Sequence, residues 1–313
     1  MKNTLRLSLL SLFLLLLIGP QQGFAQMKTL VDVNKKFSGI TKIEVSGGSL
    51  EVEYIGNKGS EVNVDAFLES NQPNQDIVFV TVGNVLKINH QVSSTKVTIG
   101  NMRTKGHIKI QGPQNMELDI KGGSGSIHVE NVHSEKTKLT VGSGRISGSN
   151  IHSNIQASAG SGSIKLSGIT GNIKGMVGSG SSEFEKVKGD LEYSSSSGGM
   201  RATSIDGTAH VSLTSGNAKL ENVAELGDLK LTSGNFNATN SGLGEQTRIS
   251  GTSGNFKIQT PSNLNEFNYF LSATSGNITV GNSRAGRNLN IDNGSSKTIR
   301  GSITSGNITI VNQ

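Results

Sequence analysis

The sequence predicts an all-β chain: a parallel β-solenoid of the right-handed β-helix or β-roll type, with coils of about 18 residues. Three observations predict it. Ser-Gly pairs recur at a nearly fixed interval, apolar and polar residues alternate in register with each pair, and 41 of the 313 residues are glycine against only 4 proline. Glycine at that level without a period reads as flexible linker; with a period it reads as turns.

In chain order, the first element is a leader. Lys2 and Arg6 form a basic start, Leu7 to Ile18 an apolar run, Pro20 a break, and Gly23-Phe24-Ala25 a small-residue cleavage site ahead of Gln26. The run is too short to span a bilayer comfortably. Residues 1–25 are therefore expected to be a signal peptide. That places the protein in the periplasm, on the outer surface or outside the cell, with no transmembrane span left after cleavage.

Residues 26–313 read as one β-solenoid domain. Its first part, 26–122, looks like degenerate copies of the later plan. Ile43 and Val45 precede Gly47-Gly48, and Leu50 and Val52 follow them. Alternating runs appear at Val62 to Phe67, Ile77 to Val82, Val85 to Ile88 and His107 to Ile110, and Asn71 to Gln75 with Pro73 reads as a loop.

From 123 to 313 the repeat is regular. The pairs start at Ser124, Ser143, Ser161, Ser179, Ser197, Ser215, Ser233, Ser253, Ser275 and Ser305. Three and five places after the serine lie residues such as Ile127 and Val129, Ile164 and Leu166, Phe256 and Ile258, and Ile308 and Ile310. The residue between them is polar: His128, Lys165, Lys257 and Thr309. Apolar, polar, apolar marks a strand with one face buried. A second strand precedes each pair, as in Leu139 and Val141 or Leu229 and Leu231, and Gly171, Gly189 and Gly207 mark a turn midway. No such unit can bury its apolar face alone, so stacking is what makes the core.

The opening Phe37-Ser-Gly-Ile-Thr-Lys-Ile-Glu-Val-Ser-Gly-Gly, followed by Ser-Gly-x-apolar repeats, resembles the bacterial "putative adhesin" family with β-strand repeats. It is similar to the auto-transporter adhesin head-domain-like group, a domain of unknown function. The resemblance covers nearly all of the chain after residue 25. It implies the fold strongly, an adhesin-like role more loosely, and no catalytic residues. The repeats run to Gln313, so no translocator barrel or sorting domain is expected in this sequence.

Composition narrows the function classes. With no Cys, disulfides, thiolate metal sites and a lipid-modified N-terminal Cys are absent. Beyond the leader, 27 basic residues face 23 acidic ones, a mild +4. Aromatic residues are 4% of the chain and Trp is absent. Neither the basic stripe nor the stacking platforms of a nucleic-acid binder are present, so no nucleic-acid partner is expected.

Candidate chemistry is sparse. Asn217, Asn235 and Asn255, with Asn277 and Asn307 in equivalent turns, read as a stacked amide ladder. The turns lack the repeated carboxylates of Ca²⁺-binding rolls, and His90, His107, His128, His133, His152 and His210 show no metal-ligand spacing. No metal and no cofactor are expected. Glu192 and Asp228, with His210 between them, would lie two coils apart, about 9.6 Å, near the separation in inverting glycosidases. The column they occupy alternates in sign, however, which suits an exposed face. The expectation is therefore no enzyme.

The repeat loosens towards the C-terminus, where Phe267, Tyr269, Phe270, Arg284, Arg287, Lys297 and Arg300 are added. Insertions in solenoids form caps or binding loops. By register Tyr269 points inward and Phe270 outward, so Phe270, Arg284 and Arg287 are the expected ligand surface, for a glycan or a cell-surface protein. The functional expectation is an exported, non-catalytic, adhesin-like binding module of the cell envelope or surface. A purely structural envelope protein is the alternative, and a polysaccharide-active enzyme on a β-helix scaffold stands behind both.

Overall fold

The computed structural model describes residues 26–93 and 103–313. The expected leader lies outside the described residues. The fold is all-β, with strands hydrogen-bonded into one 18-stranded sheet. Among the described residues the one helical piece is a 3-10 turn, Leu264–Glu266.

The N-terminal part holds β1 (Lys28–Phe37), β2 (Lys42–Ser46), β3 (Glu51–Asn57), β4 (Val62–Ser70), β5 (Gln75–Val82), β6 (Val85–Val92), β7 (Thr104–Pro113) and β8 (Glu117–Gly122). The repeats supply β9 (Ile127–Val141), β10 (Arg145–Ala159), β11 (Ser163–Thr170), β12 (Ile173–Lys188) and β13 (Leu191–Thr260), the last winding through several layers. β14 (Asn268–Ser275), β15 (Ile278–Val280), β16 (Ser283–Ala285), β17 (Asn288–Ile291) and β18 (Thr298–Asn312) complete the chain.

Successive repeats lie on one another in parallel at the expected register. Ile146 pairs with Ile127 on one side and Ile164 on the other, and Leu191 pairs with Ile173. Strands following each Ser-Gly form face A, and strands preceding it form face B. The inward positions read from the sequence are buried throughout, from Ile127 and Val129 to Ile308 and Ile310. Volumes compensate between layers. Phe184 and Tyr193 meet edge to face, centroids 5.5 Å apart, because the neighbouring inward position is Gly175. A methyl group there would come within 2.9 Å of Phe184 and 3.1 Å of Tyr193.

The Ser-Gly period has a steric cause. The Gly216 backbone lies at φ 136°, and a Cβ there would sit 1.8 Å from the carbonyl oxygen of Gly198 in the layer beneath. Gly198, Gly234, Gly254 and Gly306 meet the same contact, so each layer demands glycine of the next.

Side-chain ladders along the stack add to the backbone ladder. In the Ser-Gly turns, Asn235 donates its backbone N–H and side-chain amide to Asn217 Oδ1 at 3.2 and 3.1 Å, and Asn255 Nδ2 donates to Asn235 Oδ1 at 3.0 Å. The sequence also hides two further ladders. Asn154 and Asn172 each accept the backbone N–H one layer on, from Asn172 and Asp190, and Asp190 accepts from Thr208. At the corner leaving face A, Asn131, Asn150, Lys186, Ser204, Asn222 and Asn240 all have φ between 48° and 59°. There Asn150 donates to Asn131 and Asn240 to Asn222, both at 2.6 Å.

Both ends depart from the sequence expectation. In 26–122, β2 and β3 do stack in parallel on β8, β7 and β9, as degenerate copies of the plan should. By contrast β1, β4 and β5 are not coils: β1 and β4 pair antiparallel, β4 and β7 likewise, and β5 and β6 form a hairpin about Gly83-Asn84. A stack that ended on a bare layer would expose its core, and these strands cover it. Phe37 stacks on Phe79 at 6.1 Å, with Lys35 above the Phe79 ring.

At the other end the last two layers exchange places. β18 lies between the end of β13 and β14–β15, pairing Phe256 with Ile308 and then Ile308 with Ile278. The amide ladder therefore runs Asn255, Asn307, Asn277 and not in chain order. β16 and β17 close this end as antiparallel strands against β15 and β14.

Candidate binding surface

Two open faces flank the core. On face A a shallow hollow is lined by Arg145, Lys165, Glu183, Arg201 and Lys219, with Lys165 and Glu183 paired at 2.9 Å. On face B the outward row runs Asp119, Lys138, Gln156, Lys174, Glu192 in register, and continues to His210 and Asp228. The two carboxylates flanking His210 have neighbours that hold them or the ring in place. Lys174 Nζ lies 2.8 Å from Glu192 Oε1, and the Asp228 backbone N–H donates to His210 Nδ1 at 3.0 Å. His210 thus accepts the backbone N–H one layer on, as Asn154 and Asn172 do in their ladder. Gly227 makes room for its ring, since a Cβ there would come within 2.6 Å of it.

The same row changes character at its C-terminal end. Arg248 pairs directly with Arg300, and Arg300 with Phe270. The Arg300 guanidinium lies 5.1 Å from the Phe270 ring centre, and that ring is 42% exposed. Both arginines are exposed, and neither forms an ion pair among the described residues. Two like charges facing each other across adjacent strands repel. Paired guanidiniums with an aromatic face beside them fit a planar anionic group carried on an apolar or sugar-ring body.

The three residues expected to form one surface are not brought together. Phe270 is exposed on face B, and Tyr269 beside it is fully buried, as the register requires. The Tyr269 hydroxyl donates to Leu264 O at 3.1 Å, and burial raises its pKa. Arg284, however, pairs with Thr279 on face A. Arg287 lies at the turn between the faces, its carbonyl accepting the Ala273 N–H. The Ser-Gly turn separates Arg284 from Phe270. The guanidinium that does join Phe270 is Arg300, which the sequence ranks behind the others only if layers follow chain order. Among the described residues no group of three or more His, Asp or Glu side chains converges as metal ligands.

A family model described as Toastrack DUF4097 matches residues 40–311. The chain belongs to this family. The Toastrack match begins just ahead of β2 and covers the regular stack and all but the last residue of the exchanged terminal layers. No curated protein matches the chain. Solved structures similar to this Toastrack chain include a "putative lipid binding protein" from Parabacteroides distasonis, 16% identical with TM-score 0.40, covering 92% of this chain and 98% of that one. A "putative adhesin" from Bacteroides fragilis is 13% identical with TM-score 0.34, covering 92% and 97%. A "putative cell adhesion protein" from Clostridium sporogenes is 10% identical with TM-score 0.30, covering 92% and 100%.

Proposed function

We propose that the protein is an exported, non-catalytic β-solenoid of the right-handed β-helix type that acts as an adhesin-like binding module at the bacterial cell envelope or surface. Its ligand is an acidic glycan held at the C-terminal end of face B. The observation that carries this reading is the Arg248–Arg300 pair, unneutralised and set beside the exposed Phe270 ring. A uronate or sulfate would relieve the repulsion between the guanidiniums by bidentate pairing, and the sugar ring would stack on Phe270. The right-handed path follows the general rule for parallel crossovers. Export rests on the leader pattern of residues 1–25.

The test is a panel of uronate-containing, sulfated and neutral glycans presented to the chain from Gln26 onward. An acidic glycan should bind. Phe270→Ala with Arg300→Ala should weaken it at least about tenfold, the scale of one lost charge-assisted contact. Arg284→Ala with Arg287→Ala should leave it unchanged. Undiminished binding by the first pair would overturn the proposed surface. If nothing on the panel or in envelope extracts binds, the side-chain ladders favour the structural alternative, a protein built chiefly for stiffness.

A further inference from the structure

Four of the histidines are committed to partners. His90 lies against Gln75, His107 against Asp65 and His128 against Ser147, and His210 accepts the Asp228 N–H. His133 and His152 differ: among the described residues neither ring takes part in a hydrogen bond or an ion pair, and each meets the other. Nineteen residues apart is no ligand spacing for a helix or a turn, but in this stack it is one layer. The fold sets the two in register on the adjacent parallel strands β9 and β10. Their ring centres are 4.5 Å apart and their planes are inclined by 47°, so the rings do not stack flat. His152 is exposed and His133 half-buried, so solvent reaches both.

The surroundings hold the pair in place. Two residues before it, at the left-handed corner, Asn150 donates to Asn131 at 2.6 Å. One residue after it, Ser134 Oγ donates to Ser153 Oγ at 3.2 Å, and Thr137 Oγ1 donates to the same atom at 3.0 Å. The backbone N–H of His133 donates to Gln114 O at 2.8 Å. Just beyond, β9 carries an extra residue against β10. Competing cations are turned away or distant. Lys136 pairs with Asn154, and both line a hollow with Lys174 and Glu192 on face B. On its other side His152 pairs with the uncharged Thr170, and Lys188 comes only a layer later, about 9.6 Å from His152. Glu135, in the bulge, is exposed and forms no ion pair among the described residues.

We propose that His133 and His152 form a transition-metal site that takes copper(II) first among divalent ions. An imidazole bound through one nitrogen at about 2.0–2.1 Å has its ring centre about 3.2 Å from the ion. Adjacent positions of a tetragonal ion, at right angles, then set two such centres about 4.5 Å apart. The pair already stands at that separation. A tetrahedral zinc ion would spread the centres to about 5.2 Å. Imidazole nitrogen suits copper, which also heads the divalent series in affinity. Two protein ligands leave the remaining positions to water, so the ion would sit at the surface and strap β9 to β10.

Isothermal titration of the untagged chain from Gln26 onward with copper(II) should give one ion per chain. His133→Ala and His152→Ala should each weaken binding at least about tenfold, since loss of a ligand costs no less than loss of an outer-shell partner. His128→Ala, on the same strand but committed to Ser147, should leave it unchanged. Copper should raise the thermal midpoint of the parent and of neither site variant, because the two layers it bridges are adjacent only in the folded chain. Electron paramagnetic resonance should show two nitrogens on the metal. A chain that takes up no copper at high micromolar concentration overturns the proposal. So does binding lost equally with His128→Ala. Copper held by the terminal amine would show as binding indifferent to both site substitutions, and that result overturns it as well.

Discussion

Phe236 and Phe256 face each other across adjacent layers, ring centroids 5.8 Å apart and planes inclined by 36°. Both are buried, while Lys257 beside the second ring points to solvent. Phe256 also pairs in register with Ile308, so its ring seals the junction between the regular stack and the exchanged terminal layer. Phe256→Ala should cost about 3–5 kcal/mol, as truncations of buried phenylalanine do. Lys257→Ala should cost under about 0.5 kcal/mol. Denaturant unfolding of the two variants compares them, and equal losses would mean that the strand is out of register.

The glycine stack gives a sharper contrast. Gly216→Ala would drive a methyl group into the Gly198 carbonyl, an atom that cannot move without its whole layer. A loss of at least about 2 kcal/mol is expected, or no cooperative fold at all. Gly199 lies one residue from the same stack, yet a methyl group added to it would meet nothing within 4 Å, and its φ is not positive. Gly199→Ala should lie within about 0.5 kcal/mol of the parent. Circular dichroism melts of the pair decide whether the period is kept by sterics or merely by turn preference.

A third expectation concerns acid. His90 Nε2 lies 3.0 Å from Gln75 Oε1, and Gln75 Nε2 in turn donates to Ser70 and Thr104 at 2.8 and 2.9 Å. Burial lowers the His90 pKa from its ordinary 6.5. The unfolded chain therefore binds a proton at a pH where the folded chain does not. Stability from this group is complete above about 6.5 and falls as the pH drops below it towards the folded value. His90→Gln, which keeps a hydrogen-bonding side chain without the titration, should flatten that part of the acid limb. An unchanged slope between pH 6.5 and 5 would remove His90 from the account.

The regular stack is legible in the sequence because its inward residues obey two periods at once, alternation within a strand and the 18-residue return. Ile146, Leu166 and Leu220 satisfy both and are buried as read. The hairpin leaves a trace too, since Gly83-Asn84 between two alternating runs is a turn signal, but alternation alone suits a coil strand equally well. The left-handed corner leaves none. Lys186 and Ser204 adopt there what Gly168 adopts without strain, so no single residue type marks the position. The binding patch is hidden for a different reason: Arg300 joins Phe270 only because β18 takes a place that chain order gives to β14. Periodicity reports which residues face inward, and it is blind to the order in which equivalent layers stack.

That exchange of layers sets a problem in time. Ser275–Thr279 and Ser305–Thr309 are the same five residues, Ser-Gly-Asn-Ile-Thr, so both can dock on the layer that carries Asn255 and Phe256. During synthesis the first copy leaves the ribosome before the second, and N-terminal parts fold first. The seat on the Asn255 layer is therefore offered to two segments with an identical claim, the earlier of which does not hold it in the final structure. What separates the two is outside the shared pentapeptide: β14 has β17 waiting on its far side, and β18 has none. The final arrangement puts outermost the strand that has a partner of its own to cover it, so the choice between two identical pentapeptides is made by the residues that flank them.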